Sequence, residues 1–306
     1  MPNVRVDRVE KPLGDRTCVG GEPGTIVVGY WDIRGLGSPV RLLLYYLDLD
    51  FVDRRYVQGD YDDEVPFSRD AWLSVKHRLG LDLPNLPYLF DAYGENAARP
   101  VALTETLPIL RHLARTYGKL VSPYALGAFD PYMDMLANVV MELNGAASRA
   151  FYGSQSADQV FYAYTETMVP KMVALESYCW RHHVAATPKD TNPRFLSVQE
   201  TGGTEPSYTD LFLVELLDLL ETCIPGSLDA FPHLAQLRQN GLSLERVRTF
   251  LSSPSRAGLA CNNKIAFVGS ASRMPPPGKM KQLRLPAEVI AAAKDAVILS
   301  KDRIER

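Results

Sequence analysis

Gly29-Tyr30-Trp31-Asp32-Ile33-Arg34-Gly35-Leu36 is the stretch on which the reading of this chain turns. Before it runs Thr25-Ile26-Val27-Val28, rich in β-branched residues and long enough for one buried strand. After it come Ser38-Pro39 and then Val40-Arg41-Leu42-Leu43-Leu44. Serine is a good helix N-cap and proline is favoured at the first helical position, so a helix is predicted from Pro39 to about Leu49. Tyr30 and Trp31 therefore stand where a strand ends and a helix is about to begin. Ligands collect there in α/β folds, because the amides of a helix N-terminus favour anions. A phenol at that point can donate a hydrogen bond to an anionic ligand.

Working outward, Phe51–Val57 reads as a second strand and Gly59–Ser68 as an acidic loop. A short amphipathic helix is predicted over 70–78, carrying Trp72 and Lys76. Tyr88–Asp91 and a stretch near Arg99–Leu103 read as two more strands around a turn at 93–96. A helix over 104–117 follows, with Ile109, Leu110 and Leu113 on one face. This makes a βαβ unit followed by a ββα unit over 25–117. Residues 118–129, with Pro123 and Gly127, read as a linker. From Asp130 the strand signals nearly vanish. Helices are predicted at 130–152, 157–182, 208–222, 231–239 and 243–252, giving an all-helical domain over 130–256. Ser207-x-x-Asp210 is a capping box before an apolar run. Residues 185–206 read as a long loop.

The two ends stand apart. Residues 1–24 read as a polar, mobile arm with glycines at 14, 20, 21 and 24. Residues 257–306 read as a C-terminal extension containing Pro275-Pro276-Pro277 and a terminal helix starting at Pro286. Val289, Ile290, Ala293, Val297 and Ile304 form a helical stripe on it, with nearly balanced charge around them. This predicts a helix that packs on the protein's own surface.

Composition narrows the function classes. The 306 residues carry a net charge of −3, which gives no reason to expect nucleic-acid binding. No apolar run is long enough to span a bilayer. In the first 24 residues Arg5, Arg8, Lys11 and Arg16 are balanced by Asp7, Glu10, Asp15 and Glu22, unlike a signal or transit peptide. Cys18, Cys179, Cys223 and Cys261 are too far apart for a CxxC pair or a zinc set, so no metal is expected and the compartment reads as cytoplasmic. Cys179, His182 and His183 crowd one helix end and read as a solvated face. Gly35-Leu36-Gly37 lacks the spacing of a nucleotide loop.

Three ordered segments carry a family resemblance. Tyr30 to Leu36 resembles the N-terminal signature of the mu-class glutathione transferases. Leu79-Gly80-Leu81-Asp82-Leu83-Pro84-Asn85-Leu86-Pro87-Tyr88-Leu89 resembles a second signature, and Leu228-Asp229-Ala230-Phe231-Pro232 a third. The likeness covers about residues 25–268. It implies the cytosolic glutathione transferase fold: a thioredoxin-like α/β N-terminal domain followed by an all-α C-terminal domain. It also implies an enzyme that conjugates glutathione, as co-substrate and with no other cofactor, to a hydrophobic electrophile, working as a homodimer. The alternative on the same fold is a non-catalytic ligand-binding or structural protein.

The resemblance assigns roles residue by residue. Tyr30 donates its hydroxyl to the glutathione sulfur, with Trp31 and Leu36 beside it. Arg69, Trp72 and Lys76 hold the glycine carboxylate. Asn85 and Leu86 meet the peptide groups, and Pro87 matches a cis-proline that turns the Leu86 amide toward the ligand. Glu105 and Thr106 take the γ-glutamyl end, where the class has Gln-Ser. Glu142 reaches the γ-glutamyl ammonium of the partner subunit. Tyr152 is a second catalytic phenol, facing the electrophile. Ile33, Leu36, Asn144, Gly145, Ser148 and Asn263 line the electrophile pocket, the three in 144–148 being smaller or more polar than the class often has. Leu83 stands where the class places a phenylalanine that locks the dimer.

Overall fold

The computed structural model describes residues 1–11, 24–118, 131–184, 194–197, 204–271, 280 and 282–305. The expected linker beyond Gly118, most of the 185–206 loop, Cys18 and the triple proline lie outside these residues. The chain divides into two compact units. One comprises Met1–Tyr117 with Glu245–Ile265 and Ser270–Pro276; the other comprises Gly118–Leu244 with Ala266–Gly269 and Pro277–Arg306. The stretch from Glu245 to Ile265, expected to be divided between the helical domain and the C-terminal extension, thus clusters with the sheet.

The first unit is a five-stranded sheet in the order β1-β3-β2-β4-β5. Its strands are β1 Val4–Val9, β2 Ile26–Trp31, β3 Phe51–Tyr56, β4 Tyr88–Asp91 and β5 Val101–Thr104. β2 and β1 run parallel to β3, β4 is antiparallel to β2, and β5 antiparallel to β4. Helices α1 Ser38–Tyr46 and α3 Thr106–Tyr117 complete the βαβ and ββα units. β1 corrects the expectation of a polar arm: Val4 pairs with Phe51 and Val9 with Tyr56 along the edge of the sheet. Its alternation of valines with charged residues suits an edge strand, whose pairing is made by backbone groups a linear reading cannot locate.

Alternation along the strands sorts the two faces of this sheet. Val9, Val27, Val52, Tyr56, Tyr88 and Phe90 share one buried cluster with Trp72, Val75 and Leu79. Tyr30, Asp53 and Arg55 take the other parity, and Arg41 of α1 reaches Asp53 there. The predicted helix over 70–78 is a single turn, α2 Asp70–Leu73. Turns continue the segment, and Lys76 still donates its amide to the Trp72 carbonyl.

The second unit is helical. α4 is Pro131–Gly153. α5 Ala157–Ala163 and α6 Val169–Arg181 are joined by a π-helical turn over Tyr164–Met168. α7 is Tyr208–Cys223, α8 Pro232–Ser243, and α10 Ala287–Glu305; α9, Glu245–Ser252, belongs to the sheet unit. The predicted capping box is complete: Ser207 Oγ accepts from the Asp210 amide and Asp210 Oδ2 accepts from the Ser207 amide. α10 packs as expected on the protein's own surface, burying Ala293 and Val297. Ser300 bonds Ser177, and Lys301 sits over the Trp180 ring. Cys179 is fully buried rather than part of a solvated face. No helix among the described residues is long and apolar enough to cross a membrane.

Candidate active site

Tyr30 is the penultimate residue of β2 and is only 8% exposed. The chain then turns through a 3-10 segment, Gly35–Gly37, straight into α1. That turn brings the Leu36 amide 3.1 Å from the Tyr30 oxygen, to which it donates. Gly37 lies so close that a Cβ there would fall 2.5 Å from Tyr30 Cδ1. The two glycines of the turn are what let the backbone wrap the phenol. Burial pushes the Tyr30 pKa up, opposed by the Leu36 hydrogen bond and by the positive charge of Arg41. Desolvation dominates because it penalises the phenolate, so the hydroxyl stays protonated at neutral pH and remains a donor.

The same turn corrects the reading of Ser38. Because the 3-10 segment feeds the helix directly, Ser38 is already helical and Gly37 takes the N-cap position. The Ser38 hydroxyl is buried, has no hydrogen-bond partner among the described residues and makes no cap bond.

Several of the expected residues have defined partners within the sheet unit. Leu86–Pro87 is cis, as expected. Asn85 Nδ2 donates to Glu105 Oε1 at 2.8 Å, so two residues expected at different ends of a peptide ligand touch one another. Glu105 has φ +72°, a left-handed conformation that a non-glycine residue holds only when its surroundings fix it. Thr106 is buried at the start of α3, its hydroxyl 3.5 Å from the Leu36 carbonyl. Trp72 is buried and stacked on Tyr88 at 6.0 Å, with Tyr56 edge-on at 5.2 Å. Lys76 is half-buried and Arg69 exposed. The acidic loop closes on itself through Gly59 to Ser68 and is tied to Lys264 by Asp60 at 2.6 Å.

In the helical unit, Glu142 is exposed and paired with Lys171 at 2.6 Å, which holds its carboxyl below the usual range. Tyr152 is 39% exposed, Asn144 is buried, and Gly145 and Ser148 are partly exposed. Burial pushes the Cys179 thiol well up. Among the described residues no three His, Cys, Asp or Glu side chains are grouped to hold a metal ion.

No protein-family model matches the chain. Curated relatives do. A glutathione S-transferase of Tyrophagus putrescentiae is 34% identical over 230 residues, spanning 74% of this chain and 89% of the relative. The chain belongs to the glutathione S-transferase family. Glutathione S-transferase Mu 1 of Bos taurus is 30% identical over 231 residues, 74% of this chain and 91% of the relative. The mu class suggested by the three segments is thus the class of several curated relatives.

Solved glutathione S-transferases share the architecture. The transferase Blo t 8 matches with a TM-score of 0.60 at 24% identity, covering 79% of this chain and 99% of that one. A pi-class transferase of Onchocerca volvulus matches with a TM-score of 0.57 at 24% identity, over the same shares. The fold is accordingly the thioredoxin-like α/β domain followed by helices that this family uses.

Some residues that hold the surroundings of Tyr30 escaped the sequence reading. Arg41 is fully buried; it donates to Asp53 at 2.8 Å, to the Ile33 carbonyl at 2.8 Å and to the Trp31 carbonyl at 3.3 Å. Its guanidinium lies 5.9 Å from the Tyr30 ring centroid. The signal was present: one charge inside the run Val40-Arg41-Leu42-Leu43-Leu44, and three inside the strand at Asp53-Arg54-Arg55. A charge in an apolar element asks for a buried partner.

Proposed function

We propose that this protein transfers the glutathione thiolate to electrophilic small molecules (EC 2.5.1.18), with Tyr30 as the donor to sulfur. The single observation that carries the reading is the geometry of that phenol. Its oxygen accepts from Leu36, burial keeps it protonated, and its own hydrogen is the group that can reach a sulfur. A free thiol titrates near about 8.5, so only a few per cent is thiolate at neutral pH. A hydrogen bond to the anion lowers that value, and each unit corresponds to about 1.4 kcal/mol. The thiol proton leaves to solvent, the thiolate forms a bond to the electrophilic carbon, and a halide or an opened epoxide oxygen takes the departing electron pair.

The remaining roles belong to the same proposal. Arg69, Trp72 and Lys76 serve the glycine carboxylate; Asn85, Leu86 and Pro87 the peptide groups; Glu105 and Thr106 the γ-glutamyl end. Burial of Trp72 in the aromatic cluster leaves Lys76 and Arg69 as its more exposed companions. Ile33, Leu36, Asn144, Gly145, Ser148 and Asn263 face a hydrophobic electrophile, and Tyr152 donates to an oxyanion formed on it. No cofactor beyond glutathione is needed for this chemistry. The protein acts in the cytoplasm as a homodimer, with Glu142 serving the partner's glutathione. Leu83, 78% exposed, supports a partner-covered surface.

Retention on immobilised glutathione together with conjugation of a chloro-nitroaromatic is the expected result. Retention without conjugation returns the chain to the non-catalytic reading. Sedimentation showing a monomer at working concentration removes the role given to Glu142.

A further inference from the structure

The edge strand β1 reaches the segment that carries Tyr30. Arg8 pairs in register with Arg55 of β3, and Arg55 with Tyr30 of β2, so these three residues stand in one row across the sheet. Neighbouring strands lie about 4.8 Å apart, and two like charges side by side repel. Asp32 resolves this. Its Oδ2 lies 2.8 Å from Arg8 Nη2 and its Oδ1 lies 3.5 Å from Arg55 Nη1. Arg55 makes its short contacts elsewhere, to Asp53 at 2.6 and 2.8 Å and to the Pro254 carbonyl at 2.8 Å. Arg8 is therefore the short-range partner of Asp32.

From Asp32 the charges alternate in both directions. Outward stand Arg8 and then Glu10, 3.6 Å from it. Inward stand Arg55, Asp53 and Arg41, the last donating to the carbonyls of Trp31 and Ile33 on either side of Asp32. The backbone around Asp32 is thus held from beneath by α1, and its side chain is held from the edge by β1. Arg8 also stands on the wall of a cleft of about 510 Å³, with Asp32, Ile33 and Asn263.

We propose that Arg8 is a positioning residue for the transfer reaction: by holding Asp32 it fixes the turn from Trp31 to Ile33, and with it the Tyr30 hydroxyl. This rests on the reading that Tyr30 donates to sulfur. Arg8 is 47% exposed, and such a pair adds little to stability. Its effect lies in geometry, where a small misplacement of a reacting group costs up to about 10²-fold in rate.

The test is a double-mutant cycle in the full chain. Arg8→Met should leave the melting temperature and the KM for glutathione nearly unchanged and lower kcat about 5- to 10-fold, an order of magnitude below the ceiling just given. Arg8→Lys should recover part of that loss, since it keeps the charge without the planar fork. In an Asp32→Asn background Arg8→Met should lower kcat no further. An unchanged kcat in Arg8→Met, or the same fold loss with Asp32→Asn present, overturns the proposal. Should Arg8→Met fail to fold, Arg8→Gln in the same cycle carries the decision. The Tyr30 reading is tested separately, by the ultraviolet absorbance of enzyme-bound thiolate in Tyr30→Phe. If that titration does not move, the Tyr30 assignment fails, while the cycle still reports whether Arg8 acts through Asp32.

Discussion

Two aspartates, Asp53 in the sheet unit and Asp210 in the helical unit, are both fully buried, and the molecule holds them by different means. Asp53 is gripped by two arginines, with Arg41 on one oxygen and Arg55 on the other. Among the described residues Asp210 meets no cation; it accepts from the amides of Leu196 and Ser207 and from the Ser207 hydroxyl. The difference follows position. Asp53 lies beneath the turn that bears Tyr30, where its arginines also pin the carbonyls of Trp31, Ile33 and Pro254. Asp210 closes the first turn of a helix, which needs only an acceptor for amide hydrogens. Full charges are spent where a site must be held rigid, and neutral donors suffice where a helix must merely start.

Breaking the charged case should give the largest effect. Arg41→Met leaves Asp53 with one partner in a dry interior and frees two carbonyls. Removing one member of a buried pair costs about 3–5 kcal/mol. Thermal unfolding should fall by roughly 6–20 °C, taking about 2–4 °C per kcal/mol for a protein of this size class. A shift of only a degree or two means that solvent already reaches Asp53.

Tyr30→Phe keeps the fold and removes one hydroxyl. The expected loss at neutral pH is about 10²-fold in kcat/KM, in the range for losing a single donor to a developing anion. The KM for glutathione should change little, and rate should return as pH rises toward the thiol's free pKa. In the wild type the raised pKa of Tyr30 keeps it protonated, so no falling limb from its ionisation should appear below about pH 10. A rate unchanged by the substitution removes Tyr30 from the chemistry.

The neutral case is sharpened by pH. Burial pushes Asp210 up to about 6, from 3.8 for an ordinary aspartate. Between those values the folded state holds a proton that the unfolded state has released. The slope of stability is therefore negative there, and this group's contribution, present below about pH 4, is lost as pH rises through 6. The loss is on the order of 2–3 kcal/mol. Melting temperatures of wild type minus Asp210→Asn should fall across that window and stay flat above it. A difference that rises with pH would show the carboxylate to be better held than its burial implies.

Ser38→Ala should have the smallest effect. An N-cap serine would cost about 1 kcal/mol on removal, but Ser38 makes no cap bond and its buried hydroxyl is unpaired among the described residues. Removing an unsatisfied buried hydroxyl is near neutral, so the melting curve and the pH–rate profile should both match wild type. A clear drop in melting temperature restores the capping role.

Much of this was legible along the chain. The strand that carries Tyr30, the ββα unit, the Ser207–Asp210 box and the amphipathic terminal helix are decided by residues within a few positions of one another, while the cis bond at Pro87 was implied by the resemblance. Local conformational preference and short-range hydrogen bonds act at that distance, and the family resemblance is written in the same short segments. What the chain alone did not disclose depended on the backbone geometry of one turn or on partners far away in sequence. Ser38 reads as a cap until the Gly35–Gly37 turn is seen to feed the helix. The predicted helix at 70–78 is a single turn, with Trp72 and Val75 in the aromatic cluster on the sheet.

The sequence by itself determined the fold family, through the three segments that resemble it, and the phenol at the strand end, through the β-branched run before it and the turn residues after it. Only the tertiary structure decided that Val4–Val9 completes the sheet. Edge pairing is made by backbone amides and carbonyls, which every residue but proline carries, so no side-chain pattern marks which strand a segment will join. The same holds for the alternating charges from Glu10 to Arg41: their order exists only across strands, where residues 8, 32, 55, 53 and 41 become neighbours.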